Sequence, residues 1–160
     1  MTGRILKSIV WIALIAGGFE LAARYVLFPE YTAMLPNMYW KHPVLGHYSK
    51  PNLTVRRYNP MNFDVINRTN SKGMRGLEEN REKELSGVWV AGGSNTFGGF
   101  VEDDEVFPAA MRKDGIWAAN LAAEGHGISQ QTAVIRMLLK QGHRPKAVIL
   151  VLAMYHALGD

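Results

Sequence analysis

Residues 87–100 read Gly87-Val88-Trp89-Val90-Ala91-Gly92-Gly93-Ser94-Asn95-Thr96-Phe97-Gly98-Gly99-Phe100. A β-prone apolar run, Val88 to Ala91, stops at two glycines, and a serine follows at once. A buried strand that ends in glycines can turn sharply and present the next side chain at its carboxyl end. In open α/β sheets that end is where ligands bind. A serine there can act as a nucleophile, with its own backbone N–H helping to hold an oxyanion. The same residues also fit a glycine-rich turn with a structural serine, or a phosphate cradle before a helix. No Gly-Lys-Ser/Thr follows, which counts against a nucleoside-triphosphate loop, and the spacing misses Gly-x-Gly-x-x-Gly.

Downstream, helical and strand patterns alternate. Asp103-Asp104-Glu105 place negative charge at a helix start, Pro108 suits a first turn, and the helix carrying Ala109, Ala110 and Met111 stops before Gly115. Ile116 to Leu121 reads as a second strand. Ser129 suits an N-cap, and Ala133, Val134, Met137, Leu138 and Leu139 give the following helix an apolar face. Gly142 ends that helix, with Pro145 three residues on. Lys146 to Ala153 is a near-continuous apolar run, as expected for a third strand covered on both faces. The order β-α-β-α-β predicts a parallel sheet with right-handed crossovers. The expected fold class is α/β: part of a flavodoxin-like three-layer α/β/α domain with Val88–Ala91 as the middle strand. The switch point then lies beside Ser94, and the loops after the flanking strands bring Gly125, His126 and His156 to the same edge.

Gly93-Ser94-Asn95-Thr96-Phe97-Gly98, with Phe100-Val101 and Glu105-Val106-Phe107-Pro108 after it, resembles the first motif block of the SGNH/GDSL hydrolases. It is most similar to their membrane-anchored bacterial branch, whose block reads roughly Gly-Gly-Ser-x-Thr-x-Gly; Gly93 stands where the wider family has Asp. His42-Pro43-Val44-Leu45-Gly46, Lys50-Pro51-Asn52 and Asn70-Ser71-Lys72-Gly73-Met74-Arg75-Gly76 are similar to the segments that precede the nucleophile in that branch. The Asn70–Gly76 run reads as a turn, or as a loop lining the site with Arg75 as its anchor. Ala122-Ala123-Glu124-Gly125-His126-Gly127 resembles the second block, whose glycine gives a backbone N–H to the oxyanion hole; by position this is Gly125. The third block, Gly-x-Asn-Asp, falls on Ala153-Met154-Tyr155-His156. Tyr155 replaces the donor Asn, and His156 is the candidate substitute, with a surface histidine as the alternative. The fourth block, Asp-x-x-His, supplies the general base and is not among the 160 residues. His126 or His156 could approach Ser94 instead, although nothing in the sequence aims either ring.

At the other end, Arg4 and Lys7 accompany an apolar stretch from Ile5 to Phe28. Its uninterrupted part, Ile9 to Phe19, is short for a span of about 20 residues. Pairing of Glu20 with Arg24 at i,i+4 would extend it. Basic residues in front favour a cytoplasmic N-terminus, and Tyr25, Phe28, Tyr31, Tyr39 and Trp40 suit an interfacial belt. A signal-anchor helix is the reading taken. A cleaved signal peptide lacks a small-x-small site where the apolar core ends, and a soluble amphipathic helix is the third option. The expected organisation is a signal-anchor over residues 1–28, an extended juxtamembrane segment and connector over 29–87, and the N-terminal part of the hydrolase-like domain over 88–160. Pro29, Pro36, Pro43 and Pro51 discourage helix in the middle segment. His42 and His47 read as solvated loop histidines rather than metal ligands. Phe63 to Asn67 reads as a short edge strand, and the charged run Glu78 to Glu84 as a solvated connector. Asn52 and Asn67 each begin a glycosylation sequon, given little weight in a chain that looks bacterial.

The formal charge of +4 is mild and the basic residues are scattered, so no nucleic-acid partner is expected. There is no cysteine, which excludes disulfides and thiol chemistry. No metal or cofactor is called for. The resemblance implies a serine hydrolase of ester bonds at the extracytoplasmic face of a bacterial inner membrane, acting on an acylated small molecule or glycan. Without its Asp-x-x-His block the chain would be the front part of a longer enzyme, or a truncated and inactive relative. The alternative is a non-catalytic anchored domain that binds an acylated glycan, lipid or protein. A nucleotide-binding α/β module is the weakest reading.

Overall fold

The computed structural model describes residues 2–27 and 37–152. Helix α1 (Thr2–Ala22) continues into one π-helical turn, Ala23–Leu27. Together Gly3–Leu27 form a helix long and apolar enough to cross a membrane, with mean hydropathy 1.8 and none of its most apolar window buried. Its length, about 37 Å at the usual rise per residue, exceeds a hydrocarbon core of about 30 Å. Arg24 and Glu20 do pair, Nε to Oε1 at 2.6 Å, so the two charges that interrupt the apolar stretch neutralise each other.

Two antiparallel hairpins follow where an extended segment is expected. β1 (Tyr39–His42) pairs with β2 (Gly46–Ser49), and β3 (Thr54–Asn59) with β4 (Phe63–Arg68). Pro43 and Pro51 sit in the turns between strands, so they punctuate the sheet structure without preventing it. The charged run after Gly76 is not fully solvated. It enters helix α2 (Arg81–Ser86), where Glu84 is buried and accepts hydrogen bonds from the backbone N–H of Glu79 and Asn80. Burial pushes the Glu84 carboxyl above its ordinary pKa in spite of those donors.

A parallel three-stranded sheet forms the centre, in the order β6-β5-β7: β5 is Val88–Ala91, β6 Ala118–Asn120 and β7 Ala147–Leu150. The middle strand is the one that delivers Ser94, the place expected for it in the sheet. Trp89, Val90 and Ala91 are fully buried. Trp89 and Ala91 share a core with Ala119 and Leu121 of the β6 region, Leu85 of α2, and Leu45, Tyr48 and Met74 of the hairpin region. Helix α5 (Ile128–Lys140) adds Val134 and Leu138 to that core. Its N-cap is Gly127 rather than Ser129, and its buried face carries Gln131 while Leu139 lies at the exposed edge. The short helix α3 (Ser94–Phe97) and helix α4 (Phe107–Lys113) fill the crossover from β5 to β6. Asp103 precedes α4 and does not charge its first turn; it pairs with Arg68 and Arg75 instead.

β7 is less covered than its apolar run alone predicts, as the flank of a three-stranded sheet would be. Its apolar run predicts a strand covered on both faces, yet Val148 and Leu150 are 44 % and 38 % exposed. Among the described residues it has one neighbouring strand, β5, and little packed on it.

Candidate active site

Ser94 is the first residue of α3, directly past the carboxyl end of β5, and is half-buried. The turn needs glycine at position 92 for space: a Cβ there would collide with the side chain of Thr96. Gly93 is extended, in a conformation open to other residues. Gly98 closes α3 in the left-handed region (φ 69°), its N–H donating to Ser94 O at 3.0 Å.

The loop after β6 is fastened to this turn. Ala123 N–H donates to Gly92 O at 3.3 Å. Asn120, buried at the end of β6, donates from Nδ2 to Thr96 O at 3.0 Å and accepts Ala122 N–H on Oδ1. Ser94 and Gly125 each stand two residues past the bonded pair Gly92–Ala123. Gly125 is exposed with φ 75°, a left-handed conformation that favours glycine.

Glu124, next to Gly125, anchors a buried polar cluster that sequence reasoning did not single out. Its carboxylate accepts Arg57 Nη1 at 2.6 Å and the hydroxyl of Tyr39, and its carbonyl accepts the His47 ring Nε2 at 2.7 Å. Burial, reinforced by the neighbouring carboxylate, holds the Tyr39 hydroxyl protonated well above its ordinary range. Gly99 lies against this pair, and a Cβ on it would collide with both the guanidinium and the carboxylate. Arg57 also sits over the Phe100 ring, 4.8 Å from its centroid. The ion pair therefore joins β3 to the loop that carries Gly125, and the loop that leaves Ser94 packs against it through Gly99 and Phe100.

Arg75, in the turn-rich run, is held at several points. It is fully buried, pairs with Asp103, and donates from Nη2 to Val101 O at 2.9 Å. With its side-chain amide oriented to suit its neighbours, Asn67 bridges Arg75 Nη2 (3.0 Å) and Gly99 O (3.1 Å). Asn67 is wholly buried, which rules it out as a glycan acceptor in the folded chain. Glu102 accepts Ile66 N–H and Asp103 accepts Arg68 N–H, so β4 grips the same loop along its edge. Burial lowers the Arg75 guanidinium to about 10.

The histidines are tied elsewhere. His42 accepts Val44 and Leu45 N–H on Nδ1, capping the first hairpin's turn. His47 lies within β2, so neither is a solvated loop residue. His126 is fully buried, its Nε2 donating to His47 O at 2.9 Å, and its ring packs against His47 and Tyr48. Among the described residues no side chain, His126 included, hydrogen-bonds the Ser94 hydroxyl. His156 and Tyr155 lie outside the described residues, as does Ala153 at the start of the third block. No group of three or more His, Asp or Glu among the described residues is placed to hold a metal.

Burial lowers the His126 pKa below its ordinary value. As pH falls, the unfolded chain takes up this proton first. The stability is therefore present above about pH 6.5 and lost as pH falls through the folded value. His126→Gln keeps an N–H for His47 O and removes the titration. Urea midpoints at about pH 7.5 and 5.5 should lie closer together in the variant than in wild type. An unchanged difference would assign the acid sensitivity to another group.

No protein-family model matches the chain, and no curated protein matches it.

Proposed function

We propose that the chain carries the nucleophile-bearing part of an SGNH/GDSL-type serine hydrolase that cleaves or transfers ester-linked acyl groups. The observation that supports this best is the placement of Ser94. It leaves the middle strand of a parallel sheet at the point where strand order reverses, and the Gly125 loop is hydrogen-bonded to the same turn. In this reading Ser94 Oγ attacks the acyl carbonyl, and the N–H groups of Ser94 and Gly125 receive the charge that develops on its oxygen. The alcohol leaves, and water releases the acyl group from the serine. The sheet belongs to a flavodoxin-like three-layer domain. The apolar N-terminal helix anchors it in a bacterial inner membrane with the domain on the periplasmic or extracellular side, where the substrate is an acylated small molecule or glycan.

A fluorophosphonate probe tests the assignment on the product of the complete gene. Wild type should label covalently and Ser94→Ala should not. Equal labelling of the two would move the nucleophile elsewhere.

A second reading rests on the Ser94 hydroxyl, which no side chain among the described residues engages: an anchored domain that binds an acylated glycan, lipid or protein without turnover. It expects no labelling of wild type under conditions where the fold is intact.

A further inference from the structure

The turn between β3 and β4 shows the most exposed large apolar side chain of the hairpins, Met61, at 88 %. Asn59 fixes this turn: its Oδ1 accepts Met61 N–H at 3.0 Å and its backbone carbonyl accepts Asn62 N–H at 3.1 Å. Phe63, two residues on, stacks against Phe100, ring centroids 4.7 Å apart. Phe100 is itself 57 % exposed. Two nearby ion pairs hold their charges, Arg56 with Asp64 and Arg57 with Glu124, and the Glu102 carboxylate, two residues past Phe100, is turned to Ile66 N–H. The result is an apolar tip with an asparagine rim. Such a surface is unfavourable in water and suited to the boundary between lipid headgroups and acyl chains, where aromatic rings and methionine bury apolar area and amides stay hydrated.

The tether decides between a bilayer and other occupants. From Leu27, the last residue of the apolar helix, to Asn37 is a chain of ten residues, which spans at most about 35 Å when extended. A membrane-inserted helix therefore holds Asn37, where the hairpin region begins, within that distance of the helix end and keeps the hairpins close to the bilayer. It gives the lipid surface a high effective concentration that no soluble partner has.

We propose that Met61, Phe63 and Phe100 form a membrane-contact patch that docks the β3–β4 turn into the bilayer interface, with the N-terminal helix as tether. The inference rests on the membrane-anchoring reading and not on catalysis. Phe100 lies on the loop that leaves Ser94 by way of Gly98 and Gly99.

The chain has no cysteine, so one introduced thiol labels uniquely. Asn62→Cys, carrying an environment-sensitive fluorophore, keeps Met61, Phe63 and Phe100 in place. The full chain is reconstituted in nanodiscs of phosphatidylcholine and phosphatidylglycerol, with and without lipids bearing a shallow nitroxide. The label should shift to the blue and be quenched several-fold more than one at Gln141→Cys, which sits at the far end of α5. Adding Met61→Asp should return it to the value in water while the chain stays in the discs. A label at position 62 that remains in water in disc-bound chain overturns the patch and leaves the anchor standing. A chain that does not enter the discs overturns both. A blue shift without nitroxide quenching, rising with the number of chains per disc, would show a second copy covering the tip and would also overturn the proposal.

Discussion

Replacing Glu124 by alanine should cost about 3–5 kcal/mol of folding stability, because it leaves Arg57 buried without a counter-charge. The Arg57 side chain is 7 % exposed and that of Glu124 is 20 %. The same change also orphans the Tyr39 hydroxyl, which Glu124 accepts. Among the described residues Arg57 Nε already has no hydrogen-bond partner. The contrast is Arg56–Asp64, paired at the same 2.6 Å but with both side chains more than half exposed. Water replaces that partner readily, and Asp64→Ala should leave the unfolding midpoint nearly unmoved. A domain of this size loses several degrees per kcal/mol, so the two variants should differ by roughly 10 °C or more in thermal unfolding. A double variant, Arg57→Met with Glu124→Leu, should recover part of the loss, since it removes both buried charges together. Equal midpoints for Glu124→Ala and Asp64→Ala would show that the buried pair contributes no more than the exposed one.

The parallel sheet was legible because its strands are apolar and sharply bounded. Gly87 and Gly92 bracket β5, and the runs around Ala118–Asn120 and Ala147–Leu150 stand between helical patterns. The order with β5 in the middle follows from that alternation and from where a glycine-ended strand must deliver its next residue. Of the hairpin strands only β4 was legible, as the short edge strand Phe63 to Asn67; prolines in the turns at 43 and 51 masked the strands beside them. The clamp on the candidate site was hidden for another reason. Arg57 and Glu124 lie 67 positions apart, and Arg75 meets Asp103 across 28 more. No local period marks a contact of that kind; only the tertiary fold brings the charges together. Arg75 was visible solely through the turn that carries it. Glu124 sits inside a block read for its glycine. The bareness of β7 follows from tertiary packing too: its apolar run states what the strand can bury, not what covers it.

Residues 1–160 should hydrolyse short-chain nitrophenyl esters at least about a thousandfold more slowly than an esterase with a complete triad. Three losses point the same way. Among the described residues nothing hydrogen-bonds the Ser94 hydroxyl to take its proton as it attacks. His126, the nearest histidine to the site in sequence, spends its Nε2–H on His47 O and is sealed from solvent. The third sequence block carries Tyr155 where an asparagine donor would be expected. One missing oxyanion donor alone costs about 10²–10³ in rate, and loss of base activation costs more. The effects of such groups are not additive, so the expected rate is a ceiling rather than a product of factors. Residual turnover, where measurable, should fall with Ser94→Ala and be indifferent to His126→Gln. Turnover within tenfold of a complete enzyme, abolished by His126→Gln or by His156→Ala, would establish that a local histidine serves as the base.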